Sequence, residues 1–200
     1  VRLGDYFGKR PVVLSLVYYE CPMLCTQVLN GAVAAFKVLN FNIGDDYDVV
    51  TLSFDPRETP AMASAKKETY LNKYGRPEGA KGWHFLTGDQ AAIDALTSSV
   101  GFRYTFDQGS QQYVHASALM VLTPDGRVSK YFYGIDYPPK DLRLGLIEAS
   151  TRVPDLILLD LRLAGVVTVA LSGGFIATMW GLDRRKSNRA AAAAPPAPQA

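Results

Sequence analysis

Up to about residue 150, short apolar runs alternate with stretches whose apolar residues recur at helical spacing. Val12 to Tyr19 is apolar except for Ser15 and predicts a strand buried on both faces. The residues from Thr26 to Leu39 then read as a helix. Tyr47 to Phe54 is a second β-branched run, closed by Asp55-Pro56. Thr59-Pro60 opens a helix from Ala61 to Tyr74, with Thr59 as N-cap and Pro60 at the first helical position. Trp83–Leu86 is a short strand, and Gly88-Asp89 precedes a helix from Gln90 to Val100. Ala116–Leu122 and Val128–Tyr133 form a hairpin around Thr123-Pro124-Asp125-Gly126. Pro139 to Ser150 ends the series as a helix with Leu142 and Leu146 one turn apart. This order predicts an α/β domain with a mixed sheet flanked by helices.

The pattern changes near Pro154. Residues 163–182 carry no charge, and at about 1.5 Å per residue a helix of that length spans roughly 30 Å, the thickness of a bilayer core. Its glycines and the late Trp180 suit a membrane helix, and Arg184, Arg185, Lys186 and Arg189 follow it. The expected layout is an α/β domain at 1–153, a linker at 154–162, a transmembrane helix at 163–182 and a basic, Ala/Pro-rich tail at 183–200. The positive-inside rule puts that tail in the cytoplasm and the α/β domain on the far, periplasmic side of a bacterial cytoplasmic membrane. The chain opens on Val1 rather than Met and reads as a fragment of a longer protein.

Composition narrows the function. The formal charge is only +2 with no clustered basic groove, so nucleic-acid binding has no electrostatic support. The two cysteines, Cys21 and Cys25, are the only ones in the chain, and a bond between them would close too short a loop to staple a domain. Chemistry explains them better. With Pro22 at the first helical position, Cys21 would be the N-cap and Cys25 would lie one turn on, on the same face. The helix dipole contributes only about 0.3–1 kcal/mol. That is less than one pKa unit on a thiol starting near 8.5, so the dipole assists the pair without completing it.

Two soft thiolates suit Cu(I), with Zn(II) as the main competitor. The further donors on offer are His115, at the entry to the Ala116–Leu122 strand, His84 among core residues, and Met23 between the cysteines. A histidine beside a strand is commonly structural, and a methionine in a helix turn commonly packs. The residues alone give paired thiols with a metal or a redox role, and the choice stays open at that point.

Taken in order, several motifs resemble the SCO/SenC family of copper-binding, thioredoxin-like proteins. They are Cys21-Pro22-Met23-Leu24-Cys25 after the strand, Ser53-Phe54-Asp55-Pro56-Arg57-Glu58-Thr59-Pro60, Trp83-His84-Phe85-Leu86-Thr87-Gly88, and Val114-His115 leading to Leu122-Thr123-Pro124-Asp125-Gly126, with Tyr133-Gly134 after the hairpin. The resemblance implies a thioredoxin-like fold and copper, as Cu(I) or Cu(II), held by Cys21, Cys25 and His115. It further implies service to the copper A centre of cytochrome c oxidase subunit II, by supplying copper or by keeping that centre's cysteines reduced. Asp55 falls on the family's Asp-Pro element; ending a strand is its plainer role. The chain departs from the family pattern in having its visible membrane span after the domain and Glu rather than Asp at position 58. The rival expectation is a thiol–disulfide oxidoreductase acting through Cys21 and Cys25, although their three-residue spacing differs from the usual two.

Overall fold

The computed structural model describes residues 1–151. The expected linker, membrane helix and tail lie outside the described residues. Among the described residues no helix is long and apolar enough to cross a membrane.

The described residues form seven strands and four α-helices, alternating as far as β4: β1 (Val12–Val17), α1 (Leu24–Val38), β2 (Asp48–Ser53), α2 (Pro60–Tyr74), β3 (Trp83–Leu86), α3 (Gln90–Ser99), β4 (Tyr104–Asp107), β5 (Gln112–His115), β6 (Ala118–Leu122), β7 (Val128–Tyr133) and α4 (Pro139–Thr151). Five strands make one sheet in the order β3-β2-β1-β6-β7. β1 and β2 are parallel, as are β2 and β3, whereas β6 runs antiparallel to both β1 and β7. The two parallel steps each use a crossover helix, and β6 and β7 are joined by the Thr123–Gly126 turn, as the sequence predicts.

β1 lies at the centre of the sheet and all six of its residues are buried. Its one polar side chain, Ser15, hydrogen-bonds to Thr51 Oγ1 of β2 at 2.9 Å, and Trp83 Nε1 of β3 donates to the same oxygen at 3.0 Å. Two hydroxyls and an indole N–H thus form a hydrogen-bonded row across three strands.

Side-chain alternation in β3 assigns the faces. Trp83 and Phe85 point toward the crossover helices, with Trp83 against Phe36 of α1 and Tyr70 and Tyr74 of α2, and Phe85 against Tyr70. His84 and Leu86 point the other way. His84 packs against Tyr6 of the N-terminal 3-10 turn (Leu3–Tyr6), ring to ring at 4.4 Å with the planes tilted, and Leu86 shares a cleft with Leu52 and with Ile93 and Leu96 of α3. His84 is therefore a packing residue remote from the thiols.

Helix α2 is capped as the sequence predicts: the Thr59 hydroxyl accepts from the Met62 amide, Pro60 takes the first turn, and Gly75 closes the helix at φ +74°. Helix α1 differs from expectation. It begins at Leu24 with Met23 as N-cap, so Cys21 and Pro22 belong to the loop that leaves β1, and Cys25 is the second helical residue. Gly31 seats this helix closely, because a Cβ there would overlap the carbonyl oxygen of Ile135. The sequence reading left 104–115 without strands. Those residues form the β4–β5 hairpin, a two-stranded sheet of its own, pairing Tyr104 with His115 and Asp107 with Gln112.

Candidate metal and thiol centre

Three segments meet at the C-terminal end of β1: the loop Tyr18–Met23 with the first turn of α1, the turn after β2, and the β4–β5 hairpin. The hairpin is held by rings. Phe54, just beyond β2, lies 5.1 Å from His115, 5.4 Å from Tyr113, 4.9 Å from Tyr104 and 5.3 Å from Phe102. Tyr18 contacts Phe54, Tyr113 and His115 edge-on. Aromatic pairs of this kind contribute about 0.5–1.5 kcal/mol each beyond area burial. They fix the last residue of β5, His115, over the cysteine loop.

The site residues expected from the sequence come together here. His115 Nε2 lies 3.5 Å from Cys25 Sγ. The amide of Cys25 donates to Cys21 Sγ at 3.3 Å, and the amide of Tyr18 donates to Cys25 Sγ at 3.4 Å. Both cysteines are free thiols and both are buried. Met23, by contrast, is 64% exposed. It caps the helix between the two thiols and turns to solvent.

The two sulfurs differ in acidity. Burial by itself would raise the Cys21 thiol, but hydrogen bonds from the Cys25 amide, the Tyr18 hydroxyl and the Met23 amide outweigh it and hold the thiol below its ordinary range. Burial pushes the Cys25 thiol well up, and the nearby Cys21 and Glu58 charges add to that rise. Cys21 is the more acidic thiol of the pair, and Cys25 the one that holds its proton more firmly.

Burial also lowers the His115 pKa, so the ring is neutral at neutral pH. Its Nδ1 lies 2.8 Å from the carbonyl oxygen of Ala116, which can only accept. Nδ1 therefore carries the proton and Nε2 presents its lone pair to the thiols. Fixing a histidine through its second nitrogen is how proteins orient metal-ligating imidazoles. Donors 3.5 Å apart are within the span of one ion bonded at about 2.0 Å to nitrogen and about 2.3 Å to sulfur. The donor set therefore fits a soft first-row ion. Among the described residues no three His, Cys, Asp or Glu side chains are already drawn around one point.

Two neighbours frame the site: Glu58, which carries no site signal in the sequence, and Asp55, which falls on the Asp-Pro element noted above. Glu58 is buried, and its carboxylate accepts from the amides of Tyr19 at 2.7 Å and Glu20 at 2.8 Å, the two residues before Cys21. Asp55 faces Arg57 rather than the thiols. Arg57 donates to it from Nε at 2.8 Å and from a terminal nitrogen at 2.6 Å. Burial opposes ionisation of Asp55, but Arg57 and the Tyr113 hydroxyl outweigh it and keep its pKa below the usual carboxylate value. A polar cleft of about 650 Å³ opens beside Cys21 between Glu20, Pro22, Arg57 and the hairpin tip at Gln111.

Comparison with known proteins identifies the fold and the family. A sequence search of curated proteins gives no significant match. Among solved structures, a protein of Aquifex aeolicus VF5 provisionally assigned to electron transfer superposes with a TM-score of 0.65 at 22% identity, covering 78% of this chain and 86% of that one. The Arabidopsis thaliana protein ScoI, solved with copper bound, gives a TM-score of 0.56 at 20% identity over 72% of this chain and 85% of its own. BsSco, a member of the Sco family of cytochrome c oxidase assembly proteins in which a disulfide switch was identified, gives 0.58 at 23% identity, covering 76% and 86%. These likenesses carry the fold, an α/β thioredoxin-like sheet flanked by helices. The sequence profile of SCO1/SenC matches residues 4–143, and the chain belongs to that family.

Proposed function

We propose that this protein binds one copper ion through Cys21, Cys25 and His115 and passes it to a copper-receiving partner, the copper A centre of cytochrome c oxidase subunit II. The observation that carries the reading is the imidazole whose proton is fixed on Nδ1 by Ala116 while Nε2 faces Cys25 Sγ at 3.5 Å. A dithiol redox couple has no need of such a histidine.

The chain's own groups order the uptake. Cys21 offers the first thiolate, since its hydrogen bonds favour the ionised form. Cys25 must then release its proton, and that cost keeps the ion exchangeable rather than locked in. His115 completes the set without losing a proton, because burial already holds it neutral. Copper as cargo supplies affinity for soft ligands and a low coordination number open to an incoming donor. The site lies at the surface beside Pro22 and Met23, both exposed, where a partner's ligands can reach it.

The reading includes anchoring by residues 163–182 with the domain facing the periplasm, supported by the uncharged stretch and the basic residues after it. A second reading rests on the amide bond from Cys25 to Cys21 Sγ and on the disulfide switch of BsSco. In it the Cys21 thiolate attacks a partner disulfide and Cys25 resolves the mixed disulfide, leaving Cys21–Cys25 oxidised and the partner dithiol reduced. Anaerobic titration of the reduced protein with Cu(I) separates the two. Saturation at one ion per chain, lost in Cys21→Ser, is expected. Tight disulfide exchange without copper uptake would favour the second reading.

A further inference from the structure

The turn that follows β2 touches both halves of the site without belonging to either. It runs Asp55-Pro56-Arg57-Glu58 and closes with the Glu58 amide donating to the Asp55 carbonyl at 3.2 Å. On one side, both oxygens of the Glu58 carboxylate are occupied by the Tyr19 and Glu20 amides, and the side chain has no ion-pair partner among the described residues. On the other side, Arg57 grips Asp55 through two nitrogens while its guanidinium lies over the rings of Phe106, at 5.2 Å, and Tyr113, at 5.8 Å. Tyr113 is two residues before His115 on β5 and also reaches Asp55 through its hydroxyl.

We propose that this turn is a bracket that sets the separation between the thiols and His115. Glu58 is the positioning residue for the cysteine loop, and Arg57 is the positioning residue for the hairpin. The inference deepens the copper reading and rests on it for its metal readouts. Chemistry explains the choice of side chains. The carboxylate at 58 offers an accepting oxygen on each arm, one to the Tyr19 amide and one to the Glu20 amide, whereas a neutral amide side chain accepts on one arm only. An amide there would accept one bond and aim its NH₂ at the other N–H. The guanidinium at 57 is a flat fork that pairs a carboxylate with one edge and lies over rings with its face, which an ammonium cannot reproduce. The hairpin makes no ladder with the main sheet, so its placement depends on side-chain contacts, those of Arg57 beside the ring contacts of Phe54 and Tyr18.

The test uses Glu58→Gln and Arg57→Lys, with Ser15→Ala as a control that removes a buried hydrogen bond inside the sheet. In the metal-free, reduced protein, Glu58→Gln should speed alkylation of buried Cys25 about tenfold, whereas Arg57→Lys should leave it within twofold. Both variants should bind copper roughly tenfold more weakly and shift the thiolate-to-Cu(II) charge-transfer band, and the control should do neither. Wild-type copper affinity with an unshifted band in both variants would overturn the proposal, as would equal effects from Ser15→Ala. If Glu58→Gln does not fold, Glu58→Asp decides. It keeps both acceptors on a shorter stem and must show a shifted band at full loading; an unshifted band refutes the bracket. Should the wild type take no copper, the copper reading fails on its own, and Cys25 protection in the metal-free protein still judges the thiol half of the bracket.

Discussion

Replacing His115 with Ala separates the ring's role in packing from its role toward copper. Without copper, the variant loses ring contacts to Phe54 at 5.1 Å, Phe102 at 5.9 Å and Tyr18 at 6.2 Å. At about 0.5–1.5 kcal/mol per aromatic pair, discounted because the ring is only half-buried, the apo protein should lose about 1–2 kcal/mol. For a domain of this size each kcal/mol moves Tm by about 2–4 °C, so the apo transition falls by roughly 2–8 °C. Copper changes the comparison. At a free ion concentration 100 times its Kd, binding stabilises the wild type by about 2.7 kcal/mol, or roughly 5–11 °C. Losing even the affinity that an outer-shell partner can command, up to about 100-fold, cuts the gain at that concentration to about 0.4 kcal/mol. Scanning calorimetry with Cu(I) buffered by a competing chelator reads both numbers. The expected pattern is a modest apo shift and a near loss of the copper-induced shift. A variant that keeps the full copper-induced shift would refute the role given to His115.

Other outcomes follow from the same geometry. In the reduced, metal-free protein iodoacetamide should modify Cys21 well before Cys25, because hydrogen bonds lower the first thiol and burial raises the second. The pH midpoint of the Cys21 rate should lie below that of an ordinary thiol; equal rates, mapped by mass spectrometry, would contradict this. Copper affinity should fall with falling pH. Between the two thiol pKa values one proton leaves per ion, and below that of Cys21 two leave, so the slope of log affinity against pH steepens from about 1 to about 2. His115, held below its usual value, adds to the slope only at more acidic pH. Trp83→Phe removes the indole donor to Thr51 Oγ1 and part of a fully buried ring. It should cost about 1–3 kcal/mol by circular dichroism melts and leave copper stoichiometry unchanged.

The sequence was most informative where one local rule acted alone. The continuous apolar run of β1 reads as a central strand because nothing else buries both faces, and Thr59-Pro60 carries its own cap chemistry. The start of α1 was misplaced because proline's preference for the first helical turn competes with the path of the loop out of β1. The loop's amides are tied to Glu58, and the helix starts only after Met23. The β4–β5 hairpin left a readable signal that was missed. Tyr104 and Phe106 alternate with Arg103, Thr105 and Asp107 before Gly109, and the β-formers Tyr113 and Val114 follow it. The bracketing role of Glu58 had no such signal. A glutamate after a strand reads as a solvated charge, and only the register of β1 against β2 brings two unpaired amides to it. Asp55 was legible in its plainer role, since its carboxylate accepts from the Arg57 amide at 2.9 Å and shapes the turn.

The central claim is that the thiols and His115 act as one ligand set, and X-ray absorption at the copper edge on the reduced protein loaded with one Cu(I) per chain tests it most directly. The account predicts two sulfur scatterers and one imidazole nitrogen, with the nitrogen contribution absent in His115→Ala and one sulfur lost in Cys21→Ser. A shell of sulfur alone in the wild type, or a spectrum unchanged by His115→Ala, would contradict it.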